Sequence, residues 1–97
     1  MRVISRKRLR EFWEKHPDAR AGLESWFVDA KHAEWQKPDD IKASYRNASI
    51  IGNNRVVFNI AANKCSLVVA VQYAFQIVFI RFAGSHQEYD KVDAETV

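Results

Sequence analysis

Two neighbouring segments rich in valine and isoleucine, residues 65–73 and 77–83, constrain the fold of this 97-residue chain most strongly. β-Branched and aromatic residues dominate both segments, and such residues favour strands. Their connection, Ala74-Phe75-Gln76, is short enough to force an antiparallel pair. Because apolar residues occupy both faces of each segment, we expect this hairpin in the interior of a sheet.

Shorter strand patterns come before the hairpin. Residues 49–51 and 55–60 are separated by Gly52-Asn53-Asn54, which is turn chemistry, and residues 61–64 form a loop. Residues 1–5 alternate between polar and apolar side chains and predict an edge strand. The chain therefore contains a four-strand meander and an N-terminal edge strand.

Two helical patterns lie between the edge strand and the meander. Ser5 is the predicted N-cap of the first, whose apolar residues recur with helical spacing until Pro17 ends it. The second begins at Pro17 or Asp18, and Pro38, followed by two acids, can open a short third helix. We expect a core that includes Leu9, Phe12, Trp13, Leu23, Trp26, Phe27, Val56, Phe58, Leu67, Val69 and Ile80.

This order of elements predicts a single α+β domain, residues 1–97. Two N-terminal helices pack on one face of a twisted antiparallel sheet of four to five strands. The opposite face need not be covered, and we expect an uncovered concave face there to be available to a ligand.

The chain is moderately basic, with 15 Lys and Arg against 12 Asp and Glu and a pI near 9.2. Basic domains favour polyanions, although charge alone leaves nucleic-acid binding an even choice. The cluster Arg6, Lys7, Arg8 and Arg10 is either a solvated helix face or a ligand site. No apolar run is long enough to span a membrane, and no signal peptide is visible. Cys65 is the only cysteine, so we expect no internal disulfide and a reduced, cytoplasmic protein.

The segment after the last strand carries the most informative polar pattern. Ser85 and Glu88 have the S-x-x-E spacing of a capping box, which places His86 at the first position of a short helix. Tyr89 follows one turn later, so the two rings can lie side by side. The alternative is an ordinary capped turn with a surface histidine, and Asp90 is either a surface acid or an orienter of that histidine.

Strand alternation adds a second group of polar residues. Arg55 and Asn59 share one face of their strand, beside Lys64 in the following loop and Arg81 in the last strand. Arg81 has apolar neighbours along its strand, and an arginine in such a position is either salt-bridged or directed at an anion. No His, Asp, Glu or Cys spacing typical of a metal site is present, and no phosphate-binding glycine loop or nucleophile elbow.

Several spaced motifs agree in order and length with one family. They are Lys37-Pro38, Asp40-Ile41-Lys42, residues 54–60, Asn63-Lys64, Leu67-Val68-Val69, Ile80-Arg81-Phe82, Gly84, His86, Glu88-Tyr89-Asp90 and Asp93-Ala94. In these motifs the chain resembles the HigB toxins, the toxin halves of type II toxin–antitoxin modules within the RelE-like group. The resemblance covers the whole chain and implies a RelE-like fold, two helices over an antiparallel sheet.

The resemblance also implies an activity, that of a ribosome-dependent mRNA interferase that works without a metal or other cofactor. It implies His86 as the group that transfers a proton, with Tyr89 assisting or stacking on a base. Lys64, Arg55 and Arg81 would neutralise the phosphate and Asn59 would donate a hydrogen bond. The predicted catalytic residues are therefore His86, Tyr89 and Lys64, and the predicted RNA-binding residues are Arg55, Asn59, Arg81 and Asp90.

The chain departs from the family pattern in one loop and strand. Where relatives carry a Tyr-Arg pair, this chain has Cys65-Ser66, and Ala62 replaces an expected glycine. Loss of an arginine from a phosphate site removes transition-state stabilisation. We therefore expect either compensation by Lys64 or Arg55, or a weakly active protein.

The resemblance implies two partners, mRNA on the ribosome and a helix-turn-helix antitoxin similar to HigA. Operator DNA would be reached only through the antitoxin, and no membrane partner is expected. A different class of function is also consistent with the sequence: an inactive module that binds RNA, the ribosome or only its antitoxin. A third possibility is an unrelated α+β domain in which His86 is merely part of a cap.

Overall fold

The chain enters the fold through a short strand and two helices, and the computed structural model describes all of residues 1–97. The elements in chain order are β1 (Arg2–Ile4), α1 (Lys7–Lys15), α2 (Arg20–His32), α3 (Pro38–Ser44), β2 (Ser49–Ile50), β3 (Arg55–Ile60), β4 (Cys65–Gln72), β5 (Ile77–Gly84) and α4 (His86–Tyr89). A 3₁₀ turn, Pro17–Ala19, links α1 to α2. The α+β fold class is confirmed.

Five strands form one sheet in the order β1-β5-β4-β3-β2. The predicted hairpin of β4 and β5 is antiparallel and lies inside the sheet, and β3 pairs with β4 in the same sense. β1 lies at the edge, as predicted, but runs parallel to β5, with Val3 opposite Val78. The sheet is therefore an antiparallel meander with one parallel edge strand. No short turn joins β1 to β5, so no local signal determines the direction of that pairing.

The core lies between the helices and one face of the sheet. Phe58 of β3 is central to it, because its ring contacts Trp26 edge-on at 5.5 Å and stacks on Trp35 at 6.3 Å between centroids. The predicted core residues are all buried, except Phe27, which is partly buried against the same cluster. The core also includes residues outside the predicted set: Trp35, Ile41, Ala48, Cys65, Val71 and Val78.

The start of α1 differs from the prediction. The helix begins at Lys7 with Arg6 as the preceding residue, and no side chain caps it. Ser5 was predicted as the N-cap, but its φ of 73° places it in the left-handed region, and its carbonyl accepts a hydrogen bond from Arg8 N–H at 3.0 Å. The turn out of β1 therefore uses the backbone of Ser5 rather than its hydroxyl. None of the helices combines the length and apolar character needed to cross a membrane.

The second face of the sheet is partly covered by the last residues of the chain. The main-chain oxygen of Val97 accepts hydrogen bonds from Arg55 Nη2 at 3.0 Å and from Arg81 Nε at 3.1 Å. Nearby, Asn53 Nδ2 donates to the carbonyl of Glu95 at 2.9 Å. The open concave face that the sequence suggested is therefore occupied in part by the chain itself, because the strand arginines find main-chain acceptors there.

Candidate active site

The short helix α4 follows directly from the end of β5, and a capping box closes its N-terminus. Ser85 Oγ accepts a hydrogen bond from Glu88 N–H at 3.2 Å, and Glu88 Oε1 accepts one from Ser85 N–H at 2.9 Å. The hydrogen bond from the Ser85 backbone is the largest of the effects that lower the pKa of Glu88. The predicted capping box is confirmed, and it places His86 at the first position of α4.

His86 and Tyr89 lie side by side on α4. Their ring centroids are 6.4 Å apart and their planes differ by 25°. Asp90 Oδ1 lies 3.8 Å from His86 Nε2, which is ion-pair distance when the imidazole is protonated. The His86 side chain is 72% exposed, so a ligand can reach it. An accessible imidazole next to a phenol and a carboxylate has the groups that general acid–base chemistry requires.

Phe82 connects this helix to the sheet. Its ring lies over Gly84, where a Cβ would stand only 2.5 Å from Phe82 Cζ, so glycine makes room for the ring. The same ring lies 6.5 Å from the ring of Tyr89, at an angle of 46°. Phe82 therefore supports Tyr89 from the strand side, and the glycine that ends β5 allows that contact.

A basic concavity of about 280 Å³ lies beside Phe82, between β5 and α1. Arg8, Glu11, Phe12 and Lys15 of α1 form its helix side, and Phe82 and Ala83 form its strand side. Phe82 lines this concavity and also contacts Tyr89, so the concavity and α4 share one aromatic ring. Arg8 and Lys15 were not among the predicted site residues. Their spacing of seven residues, with Glu11 between them, was the available signal, since it places them on one face of a helix.

Arg55 and Arg81 are brought together on the second face of the sheet. Both donate to the main-chain oxygen of Val97, and Arg55 Nη1 also donates to the carbonyl of Asn53 at 3.2 Å. Arg55 Nε is buried and has no hydrogen-bond partner. Arg81 therefore has an acceptor within the chain, and the two guanidinium groups share that oxygen.

Lys64 lies in the loop between β3 and β4, and its ammonium group contacts the carboxylate of Asp18. Hydrogen bonding to Lys64 is the largest of the effects that lower the pKa of Asp18. Both side chains are more than half exposed, so the contact is solvated and can be exchanged for another anion.

Asn59 and Ser66 lie opposite each other on β3 and β4, and Ser66 lies opposite Gly84 on β5. Asn59 is exposed and lines a concavity of about 240 Å³ together with Arg46 and Asn47. Ser66 is only 1% exposed. The position at which the resemblance implies an arginine is therefore an interior position of this sheet.

A family model for the HigB toxin, described as the RelE-like toxic component of a toxin-antitoxin system, matches residues 19–92. This match covers more than half of the sequence. The chain belongs to the HigB toxin family.

Three relatives extend the similarity over almost the whole chain. The mRNA interferase toxin HigB of Escherichia coli K12 is 27% identical over 92 residues, which cover 93% of this chain and 88% of that protein. The mRNA interferase HigB of Shigella flexneri gives the same values. The mRNA interferase HigB of Escherichia coli O6:H1 is 21% identical over 94 residues, or 95% of this chain and 91% of that protein.

In this HigB-family chain the predicted site residues form separate groups. His86, Tyr89 and Asp90 lie together on α4, and Arg55 and Arg81 lie together at Val97. Lys64 is held by Asp18, and Asn59 borders a different concavity. The four main concavities do not include one lined by both the predicted cations and His86. The structure therefore does not bring all of these groups around one pocket.

The largest concavity of this HigB-family chain, about 570 Å³, lies between α2 and α3 and contains none of the predicted residues. Asp29, Glu34 and Asp40 line it without any Lys or Arg, so it repels a phosphate backbone. No group of three or more His, Cys, Asp or Glu side chains is placed to hold a metal ion. The α4 group and the basic concavity beside Phe82 are the better match to an RNA substrate.

Proposed function

We propose that this single domain, residues 1–97, is the toxin of a type II toxin–antitoxin module and acts in the cytoplasm. We further propose that it is an mRNA endoribonuclease that needs the ribosome and needs no metal ion. One observation carries the proposal: α4 holds an exposed imidazole beside a phenol and a carboxylate, and the Phe82 ring that contacts this phenol also lines a basic concavity with Arg8 and Lys15.

The chemistry of RNA cleavage fits these groups. The 2′-oxygen attacks the adjacent phosphorus while the bond from phosphorus to the 5′-oxygen breaks. A base takes the proton of the 2′-hydroxyl, and an acid gives a proton to the departing 5′-oxygen. His86 performs one of these transfers in the proposal, Asp90 holds its ring, and Tyr89 assists or stacks on a base. Because DNA lacks the 2′-hydroxyl, the reaction is specific to RNA.

The phosphate acquires negative charge as the 2′-oxygen attacks, and cations near α4 would stabilise it. We assign that role to Arg8 and Lys15, in addition to the predicted Lys64, Arg55 and Arg81. For the last three to take part, RNA phosphates must replace Asp18 and the Val97 oxygen as their partners.

The names of the three relatives support an mRNA substrate, and membership of a toxin–antitoxin family implies an antitoxin partner. We propose that this antitoxin is a helix-turn-helix protein similar to HigA, and that operator DNA is bound only through it. Co-expression with the product of a short adjacent reading frame tests the point. A stable complex that binds its own operator is expected, and a toxin that binds the operator alone contradicts it.

Cleavage is tested with purified protein, ribosomes programmed with mRNA, and the same mRNA free in solution. Wild-type protein that has been passed over a chelating resin is expected to cut only the ribosome-bound message. His86→Ala should lose about 10²- to 10⁴-fold in rate, the usual contribution of a general acid or base. His32→Ala is the matched control, because His32 is also an exposed helical histidine but lies on α2.

Three outcomes contradict parts of the proposal separately. Equal rates for wild type and His86→Ala remove His86 from its role. Cleavage of free mRNA removes ribosome dependence, and activity that appears only when a transition-metal ion is returned to resin-treated protein removes metal independence. Tyr89→Phe separates the two roles of Tyr89, since it removes the hydroxyl and keeps the ring that contacts Phe82.

A specific observation favours a second candidate, a weakly active or inactive module that binds RNA or its antitoxin. Lys64, Arg55 and Arg81 are all engaged with acceptors from the chain itself. Wild type that binds programmed ribosomes without cutting the message would select this candidate. Ser66→Arg does not test it cleanly, because a charge at a position 1% exposed destabilises the sheet unless it reaches solvent.

A further inference from the structure

A second basic concavity lies on the opposite side of α1 from the one beside Phe82. It has a volume of about 530 Å³ and runs between α1 and the 3₁₀ turn that leads into α2. We call it the α1–α2 groove. Its lining residues are Arg6, Arg10, Trp13, Glu14, Pro17 and Arg20. Three guanidinium groups and one carboxylate therefore face a single groove, which none of the proposed catalytic residues lines.

Two of these arginines are stacked on aromatic rings. The Cζ of Arg6 lies 4.8 Å from the centroid of Phe27 and 5.8 Å from that of Trp13, and the Cζ of Arg20 lies 5.5 Å from that of Trp13. Such cation–π contacts hold the guanidinium groups in place over a buried indole. A guanidinium held flat presents N–H donors at its edge and a planar surface on which a nucleobase can stack.

The charge of the groove is only loosely compensated. Arg6 has no carboxylate partner, and Arg10 Nε lies 3.9 Å from Glu14 Oε1 with both side chains more than half exposed. Arg20 contacts Glu24, again at an exposed position. Exposed pairs of this kind contribute little free energy, so a phosphate can replace the carboxylates at small cost.

We propose that the α1–α2 groove is an RNA-binding surface, separate from the α4 site, in which phosphates bind Arg6, Arg10 and Arg20 and a base stacks on a held guanidinium. The planar stacking surfaces favour RNA over an acidic protein segment, for which charge alone would suffice. The inference deepens the proposed function by naming a second contact with its RNA partner. It requires binding but not cleavage, so the two can fail independently.

The test measures binding of a short, fluorescein-labelled oligouridylate by anisotropy at several KCl concentrations. The protein carries His86→Ala, which keeps the probe intact whether or not cleavage requires the ribosome, and the groove variant adds Arg6→Gln, Arg10→Gln and Arg20→Gln. Its control adds Lys31→Gln, Lys37→Gln and Lys91→Gln, which remove the same charge from exposed positions elsewhere. Arg10→Glu alone is a second groove variant, because Arg10 stacks on no ring and its loss leaves the packing of Trp13 and Phe27 intact.

The groove variant is expected to bind about tenfold more weakly, and the slope of log Kd against log salt should fall by about 2, the value for three lost phosphate contacts on a single strand. Arg10→Glu should weaken binding in the same direction, and the lysine control should stay within about twofold of the parent. Equal weakening of groove and control variants, or unchanged binding in both groove variants, overturns the proposal. The proposal is also overturned if the groove variant still binds RNA but no longer binds a labelled oligoglutamate peptide. The groove would then be a binding site for an acidic protein.

Discussion

The imidazole of His86 and the phenol of Tyr89 stand 6.4 Å apart on a helix of only four residues, with their planes 25° from parallel. So short a helix has little intrinsic stability, because nucleating a helical turn is unfavourable. The capping box at Ser85 and the Phe82 ring that contacts Tyr89 are what hold the pair in this arrangement. The geometry of the proposed active site therefore depends on its cap and on one strand residue.

Ser85→Ala is expected to loosen α4, because it removes the hydroxyl that accepts from Glu88 N–H. Loss of an N-cap costs about 1 kcal/mol, which corresponds to a factor of about five in the population of the capped helix. Protection of the Tyr89 and Asp90 amides against hydrogen exchange should fall, since they donate to the carbonyls of Ser85 and His86. Cleavage should fall by up to about fivefold.

Glu88→Gln is the matched control for the cap, since glutamine can complete a capping box. At neutral pH, the Tyr89 and Asp90 amides of Glu88→Gln should be protected about as well as those of wild type. The pKa of Glu88 is lowered in the folded protein. The stabilisation that the Glu88 carboxylate gives to α4 is therefore present at pH values above the usual carboxyl pKa, and it is lost as pH falls through the lowered pKa. Protection factors that decline equally with acid in wild type and in Glu88→Gln would contradict this assignment.

Asp18→Asn is expected to strengthen RNA binding by releasing Lys64. The pKa of Asp18 is lowered, chiefly by its hydrogen bond to Lys64, so the carboxylate is ionised and competes with phosphate at neutral pH. The salt dependence of binding should become steeper by about 0.7, the value for one added phosphate contact. Asp39→Asn controls for the change in net charge, and Lys64→Ala should cancel the gain. A gain that persists without Lys64 would exclude this mechanism.

Cys65 is expected to react slowly with alkylating reagents in the folded protein and rapidly once it is unfolded. The residue is fully buried, and burial raises the pKa of its thiol from 9.0 to about 12. Because the folded pKa lies above the unfolded one, this group stabilises the fold below pH 9 and loses that contribution as pH rises toward 12. Urea unfolding of wild type should therefore weaken over this range by up to about 1.4 kcal/mol per pH unit more than that of Cys65→Ala.

Ala62→Gly is expected to stabilise the protein. Ala62 has a φ of 55°, in the left-handed region that costs an alanine about 1–2 kcal/mol and a glycine almost nothing. After the greater flexibility of glycine in the unfolded chain is included, the net gain is up to about 1 kcal/mol, measured as a rise in Tm. Ala43→Gly, in the right-handed backbone of α3, should instead lower Tm. Equal decreases in the Tm of Ala62→Gly and Ala43→Gly would show that the backbone is not strained at Ala62.

Much of the fold followed from patterns between near neighbours in the chain. The paired apolar segments predicted the β4–β5 hairpin, and the S-x-x-E spacing predicted the cap of α4 and the position of His86. These signals are reliable because they involve residues within a few positions of each other, where backbone geometry alone determines which groups meet. Ser5 is the exception, since the chain leaving β1 turns through a left-handed residue that the sequence pattern did not reveal.

The acceptors that Lys64, Arg55 and Arg81 contact could not be predicted from such local patterns. Lys64 is 46 positions from Asp18, Arg55 is 42 from Val97 and Arg81 is 16 from Val97. The sequence identified these residues as cations on strands or in a loop but not the acceptors that they meet. A long charged side chain takes whichever acceptor the folded surface brings within reach, and that choice is made by tertiary packing rather than by local spacing.

The sequence by itself determined the α+β fold, the hairpin within the sheet, most of the core and the placement of His86 beside Tyr89. Only the tertiary structure decided that Arg8 and Lys15 share a concavity with Phe82, that the C-terminal residues cover part of the sheet, and that Arg6 and Arg20 both contact Trp13. The physical reason is distance along the chain. Periodicity and capping act within a turn or a strand, whereas these contacts form only when separate elements pack together.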